Sequence, residues 1–130
     1  MSIEEIRYKP SPERCNKSKE QNVEDRRKQE SSQIRNFVKD SDILIVVDER
    51  GQQPTTEIFT EWIQDSLNQG TSRLIFAIGG PFGHHNSLRQ QSDKVLCLSS
   101  MVLNHELARV VLYEQLYRSY SLMTGGKYHH

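Results

Sequence analysis

Three stretches of this chain carry residues suited to holding a ligand. Residues 98–130 join a polar loop, Leu98-Ser-Ser-Met-Val-Leu-Asn104, to an apolar-rich helical block that starts at His105 and to a Tyr128-His129-His130 tail. Upstream, Gly79-Gly80-Pro81-Phe82-Gly83 forms a loop in which glycine lets backbone approach a flat ligand without a Cβ in the way, and Pro81 stiffens it. Asp48-Glu49-Arg50-Gly51 closes an aliphatic run. A tight turn without ligand is the other reading of the glycine loop. Its spacing matches neither G-x-G-x-x-G nor the Walker pattern, and no Lys-Ser/Thr follows to hold a triphosphate. His84 and His85 are adjacent, cannot easily face one ion and have no Cys or acidic partner at ligand spacing. They read as a solvated pair at a helix start, and no metal is expected. Asp48 has two readings, turn cap or ligand contact.

The elements that must position these loops follow from periodicity. Ile43-Leu-Ile-Val-Val47 and Leu74-Ile-Phe-Ala-Ile78 are continuous apolar runs of the kind buried on both faces of a parallel sheet, and Val95–Leu98 is a third, shorter one. Thr55 or Thr56 caps a helix with Ile58, Phe59, Trp62, Ile63 and Leu67 along one side, and Gly70 stops it. A short polar helix is expected from about Asn86 to Ser92. Leu107, Val110, Val111, Leu112, Leu116 and Tyr120 mark a closing helix. Strand and helix alternate, so the fold class is α/β with parallel pairing and right-handed crossovers. Ligands of such sheets lie beyond the carboxyl ends of the strands, where Asp48–Gly51, Gly79–Gly83 and Ser99–Asn104 should converge. Trp62 reads as core, and Met101 and Met123 as gap-fillers or contacts to a thioether ligand. Arg109, Glu114 and Arg118 have a plain reading as exposed ion pairs.

The 130 residues amount to one domain, and 17 basic side chains cancel 17 acidic ones, so no overall positive field announces a nucleic-acid partner. Residues 1–41 are polar and charged. They suggest a short strand from Ile3 to Tyr8, a loop, and a helix from about Glu20 to Val38 with a thin apolar stripe, ahead of the ligand-binding part over 42–130. Cys15 and Cys97 stand far apart, with Cys97 in an apolar run, which argues for free thiols in a reducing, cytoplasmic setting. The N-terminus has no basic n-region followed by an apolar h-region, and no apolar run approaches the length of a membrane span.

Taken in order, these motifs resemble the SPOUT-class methyltransferases, and within them the RlmH family, which methylates N3 of a pseudouridine in large-subunit ribosomal RNA. The residues that carry the likeness are Val47-Asp48-x-x-Gly51, Ile78-Gly-Gly-Pro-x-Gly83, Leu98-Ser-x-Met101, His105-x-x-x-Arg-Val-Val-Leu-x-Glu-Gln-Leu-Tyr-Arg-Ser119 and Gly126-x-Tyr-His129. The resemblance implies a parallel sheet with a C-terminal trefoil knot, and S-adenosyl-L-methionine bound in that knot against Val47, Gly79, Leu98, Ser99, Ser100, Met101, Val102 and Leu103. It also implies a homodimer packed through the closing helix, with one subunit's tail completing the other's RNA site. Methyl transfer from a sulfonium needs alignment more than a covalent intermediate. The N3 imide of pseudouridine is weakly acidic, so a base or a cationic surrounding would assist its deprotonation. His105, Arg109, Arg118, Tyr128 and His129 are the candidates for that surrounding, with Arg118, Tyr128 and His129 the choice for substrate.

The chain departs from the family pattern in places. Asn104 stands where Pro usually precedes His, Val102 where Thr is usual, and Lys127 where Pro often precedes Tyr. Family members also open with a strand, a Gly-Lys turn and a helix before the segment matching Ile3–Tyr8, which this chain lacks. An rRNA methyltransferase acting on an assembled ribosomal surface is the leading expectation. A catalytically silent binding module of the same fold and an unrelated α/β nucleotide-binding protein are the competitors.

Overall fold

In the computed structural model, which describes residues 3–6, 19–79, 83–84 and 86–127, the run at Ile43 becomes the central strand of a parallel three-stranded sheet. The elements are α1 (Lys19–Phe37), β1 (Ile43–Gln52), α2 (Thr56–Asn68), β2 (Leu74–Ile78), α3 (Asn86–Gln91), β3 (Lys94–Leu96) and α4 (His105–Met123). The strand order is β2-β1-β3. Side-chain alternation along β1 then sets the layers. Ile45 packs with Phe59, Trp62, Ile63, Leu96 and Leu112 under α2 and α4. Leu44 and Val46 point the other way, to Ala77 and Leu88, with Ile34 and Val38 from the end of α1 closing that side.

Local chemistry fixes the helix ends. Thr55 caps α2 by accepting the Ile58 N–H at 3.2 Å, and Gly70, at φ 72°, follows its C-terminus. Asn104 caps α4 by accepting the Leu107 N–H at 2.9 Å, which gives the last residue of the preceding loop a helix-starting role. At the far end Gly125 adopts φ 73°, its N–H bonds Leu122 O, and the Gly126 N–H reaches Ser121 O at 2.7 Å, the 5→2 and 6→1 bonds of a Schellman stop. Between α2 and α4 the Thr60 hydroxyl donates to the fully buried Ser119 Oγ at 2.8 Å, and Thr56 Oγ1 donates to Gln115 Oε1 at 2.7 Å. These two bonds satisfy polar groups that would otherwise weaken the helix seam.

Several expectations change. Ile3–Ile6 form no strand; they lie against α4 through Glu5, and Tyr8 falls outside the described residues. Asp48–Gly51 is not a closing loop but a continuation of β1, because Gln52 pairs with Leu96 after a bulge and its carbonyl takes the Cys97 N–H at 2.7 Å. Gly51 passes so close to β3 that a Cβ there would overlap the Val95 carbonyl. The third strand ends at Leu96, leaving Leu98 in the following loop. In α2 only Phe59, Trp62 and Ile63 of the five apolar positions are buried, while Ile58 and Leu67 face solvent, since a three-stranded sheet offers a narrow floor. The same applies to α4. Leu112 is buried and Leu116 and Met123 pack against the core, but Leu107, Val110 and Tyr120 lie on the opposite, exposed side. Met123 is thus a gap-filler, whereas Met101 is exposed. Cys97 is a buried free thiol; Cys15 lies outside the described residues. Among the described residues no helix is long and apolar enough to cross a membrane.

Candidate active site

The strand register draws the carboxyl ends together. Val47 stands opposite Ile78 on one side and Leu96 on the other. Gly79 leaves directly after Ile78, and residues 97–104 leave directly after Leu96 without regular structure. Val47, Gly79 and the loop that runs on to Leu103 therefore lie at one end of the sheet; of the three loops expected to converge there, Asp48–Gly51 is instead part of β1. Leu98 rests on the core, and Ser99 organises the bend after it: its hydroxyl accepts the Met101 N–H at 3.0 Å and its carbonyl accepts the Cys97 thiol. Ser100 is exposed, Leu103 is half-buried, and Met101 and Val102 project outward at 76% and 82% exposure, which leaves two apolar side chains uncovered on the loop.

Gly79 and Gly83 lie close together. A Cβ at Gly79 would lie 3.1 Å from the Gly83 Cα, and Gly83 adopts φ 75°, a conformation glycine reaches without penalty. Gly80, Pro81 and Phe82 lie outside the described residues. Beyond the turn His84 is 5% exposed, which overturns its reading as half of a solvated pair; His85 lies outside the described residues. The His84 Nε2–H donates to the Ala77 carbonyl at 3.0 Å, and Nδ1 is buried with no hydrogen-bond partner among the described residues. Burial pushes this imidazole below the usual histidine range, against the opposing pull of the Ala77 and Val47 carbonyls and the Asp48 carboxylate. The sequence signal was its position between the glycine turn and α3, but nothing in residue type distinguished it from an exposed histidine.

Asp48 is committed within the protein. Its Oδ1 accepts the Arg50 N–H at 2.9 Å and its Oδ2 meets Arg89 Nη1 at 3.2 Å, so the capping reading holds. Arg89, which sequence reasoning passed over, also donates to the His84 carbonyl at 3.2 Å and to Asn86 Oδ1 at 3.2 Å.

Of the residues expected to face the substrate, His105 and Arg118 lie at opposite ends of one helix and are not brought together within one chain. His105 starts α4, beside the loop, with Nε2 3.6 Å from Glu106 Oε1. Arg118 lies near the other end, its Nε donating to Glu114 Oε1 at 2.7 Å. The helix between them carries a rise of about 1.5 Å per residue, which separates the two by roughly 20 Å. Arg109 donates to Glu5 Oε1 at 2.8 Å, Tyr113 donates to the other oxygen of the same carboxylate, and the guanidinium is held further above its usual range by this pairing. Tyr128 and His129 lie outside the described residues, just past the Schellman stop that directs the chain off α4.

A parallel α/β layer carries one glycine turn and one irregular loop at its carboxyl edge, and comparison with known proteins gives the fold a class. Residues 1–129 match the family described as "Predicted SPOUT methyltransferase". The chain is 39% identical over 123 residues, 95% of its length, to a protein of Arabidopsis thaliana provisionally named an RNA methyltransferase, and spans 64% of that protein. It is 36% identical over 114 residues to the ribosomal RNA large subunit methyltransferase H of Christiangramia forsetii, covering 88% of this chain and 73% of that one. The corresponding figures for the Brucella anthropi protein of the same name are 38% over 112 residues, 86% and 70%. The chain belongs to the SPOUT methyltransferase family. Within it, these relatives group it with the large-subunit rRNA methyltransferases H.

Proposed function

We propose that this chain is one subunit of a homodimeric S-adenosyl-L-methionine-dependent methyltransferase that modifies N3 of a pseudouridine in large-subunit ribosomal RNA, on the assembled ribosome. The observation that carries the reading is the meeting of Val47, Gly79 and Leu98–Leu103 at one sheet edge, in a chain of this family. The residues fit such a donor. Backbone at Gly79 is free of any Cβ and closely folded, free amides and carbonyls of an irregular loop can pair with an adenine edge, and Val47, Leu98 and Leu103 offer apolar surface to its faces. The close passage of Gly51 across β3 and the Gln52–Cys97 bond support the trefoil knot, since both hold the segment after Val47 tightly around the chain that leads into the cofactor loop.

When bound, the donor supplies an electrophilic methyl group, and what this chain must add is alignment and relief of the proton on N3. His105 stands beside the loop, while Arg118 stands near the opposite end of α4, the end that Tyr128 and His129 follow in sequence. A two-fold contact in which the α4 helices run antiparallel would set one subunit's loop beside the other's tail. The exposed side of α4 supports that contact: Leu107, Val110, Tyr113, Tyr117 and Tyr120 recur every three or four residues along its whole length, a stripe too apolar to be left to water. In that arrangement Arg118, Tyr128 and His129 hold and polarise the uracil ring, stabilising the N3 anion as its proton leaves.

The test is twofold. Calorimetric titration of the chain with S-adenosyl-L-methionine is expected to show micromolar binding, and labelled methyl transfer is expected to ribosomes lacking the modification but not to naked RNA. Absence of both ends the proposal, and binding without transfer leaves a cofactor-binding module in its place.

A further inference from the structure

We propose that His84 is the positioning residue of the methyl-donor cradle: its imidazole, buried where β1 and β2 end, holds Gly83 and His84 against Gly79 so that the Gly79 backbone keeps one fixed shape. The proposal deepens the reading above and rests on it for the identity of the ligand. The first argument is location. Nε2–H bonds the Ala77 carbonyl at 3.0 Å, so the residue after the turn is pinned to β2 two residues before the turn begins. The ring's Cδ2 lies 3.4 Å from where a Gly79 Cβ would stand, which makes the imidazole the surface on which Gly79 rests. A second pin acts on the backbone, where Arg89 Nη1 donates to the His84 carbonyl while also meeting Asp48 Oδ2, both at 3.2 Å.

The second argument is cost. A leucine at this place would fill apolar volume with no polar atom to satisfy, whereas His84 buries an Nδ1 that has no partner among the described residues. A group that is expensive to bury and replaceable by an apolar one points to use of its single hydrogen bond, and that bond acts on the turn. The groups facing the ring from each packed element are the Val47 carbonyl and Asp48 carboxylate of β1, the Ala77 carbonyl of β2 and the Arg89 cation of α3. Burial and Arg89 oppose a second proton, so the neutral ring is the form that holds Gly83 and His84 against Gly79. Donor affinity should then weaken as acid converts the ring to its cation, beginning below the ordinary histidine value of about 6.5.

The decisive comparison is His84→Gln, which keeps an amide donor at the reach of Nε2, against His84→Leu, which keeps volume alone. Titration with S-adenosyl-L-homocysteine is expected to weaken about tenfold in His84→Leu, the size of one lost hydrogen bond, and to recover most of that in His84→Gln. KM for the donor should follow while kcat at saturation stays within about twofold, and the wild-type loss of affinity in acid should vanish in both variants. Hydrogen exchange supplies a readout that needs no ligand. The Gly79 and Gly83 amides should lose protection in His84→Leu while β1 and β3 amides keep theirs. Unchanged affinity and unchanged Gly79 protection in a folded His84→Leu protein would overturn the proposal. If His84→Leu does not fold, the glutamine variant decides: wild-type affinity at neutral pH with a flat acid profile supports positioning, and an unaltered acid profile overturns it. If the wild-type chain binds no adenosyl ligand, the function proposed above fails, and exchange at Gly79 still tests the role of His84.

Discussion

Asp48 and Arg89 meet at 3.2 Å with side chains only 9% and 13% exposed, tying the extension of β1 to α3 across the glycine turn. Removing one partner of so secluded a pair strands the other, at a cost on the order of 3 kcal/mol, whereas replacing both with apolar groups of similar volume is often neutral. Asp48→Asn and Arg89→Met are therefore each expected to lower the urea midpoint strongly, and the double variant Asp48→Leu/Arg89→Met to recover much of the loss. Additive losses in the double variant would show that the pair is not coupled.

Asp42 and Arg73 form a different kind of link, joining the approach to β1 with the approach to β2. Arg73 bonds both carboxylate oxygens, Nη2 also donates to the Phe37 carbonyl at the end of α1, and the guanidinium carbon sits 4.4 Å over the Phe37 ring. The Arg73 hydrogen bonds, then that from the Lys39 N–H, hold the Asp42 carboxyl below the usual aspartate value. A carboxyl depressed in the folded state contributes stability that is complete above its unfolded value, near 3.9, and is lost as pH falls from there through the folded value. Asp42→Asn should accordingly flatten the acid limb of the stability–pH curve below about pH 4 and leave its slope at neutral pH alone. An acid limb as steep as that of wild type would assign the loss to other carboxylates.

Asn104 illustrates a local rule that survives a change of residue. As the cap of α4 it satisfies the Leu107 N–H, and Asn104→Ala is expected to cost about 1 kcal/mol in chemical denaturation, with Asn104→Ser or Asn104→Asp nearly silent. Because the cap lies between His105 and the loop proposed to hold the methyl donor, the alanine variant should, on that proposal, also weaken donor binding more than its stability loss explains. Equal effects on stability and binding would confine Asn104 to the helix.

How much of this could be read beforehand depends on the range of the interaction involved. The apolar runs at Ile43 and Leu74, the caps at Thr55 and Gly70, and the glycine turn depend on residues within a few positions of one another, and they fall where the sequence put them. The failures are long-range. Asp48-Glu-Arg-Gly51 has turn composition, yet Gln52 finds Leu96 and the strand continues. His84 looks like its neighbour His85 until Ala77, seven residues earlier, offers a carbonyl. The apolar periodicity of α4 marks a helix, but a pattern wider than one stripe does not say which side meets the sheet: Leu112 and Leu116 join the core, and Leu107, Val110 and Tyr120 stay exposed. Arg118 and His105 share a helix in the sequence as in the fold, and only the helical rise reveals that one chain cannot bring them to one atom.

Gly51 offers a test of the tight crossing at β3. Gly51→Ala places a methyl group into the Val95 carbonyl, where backbone rather than a flexible side chain must give way. Overpacking of this kind typically costs about 1–3 kcal/mol, and a site closed by backbone belongs at the upper end. A melting temperature within error of wild type would mean that residues 48–52 are free to lift away from β3.

The last prediction concerns the separation of His105 from Arg118 along α4. If two subunits exchange ends, a variant crippled at the loop and a variant crippled at the tail should rescue each other in mixed dimers. Val102→Asp, in the loop proposed for the donor, and Arg118→Ala, at the end proposed for the substrate, are each expected to be inactive. After co-refolding in equal amounts, half of the dimers are mixed and each mixed dimer holds one intact site, so about a quarter of wild-type activity should return. A Val110→Lys change in the exposed stripe should abolish that rescue, give a monomer by sedimentation, and leave the fold cooperative, since Val110 is 59% exposed and no core contact is lost. Rescue that never exceeds the sum of the two parents would mean that each chain completes its own site, and the Tyr128–His129 tail would then have to reach back along α4 to the loop of the same subunit.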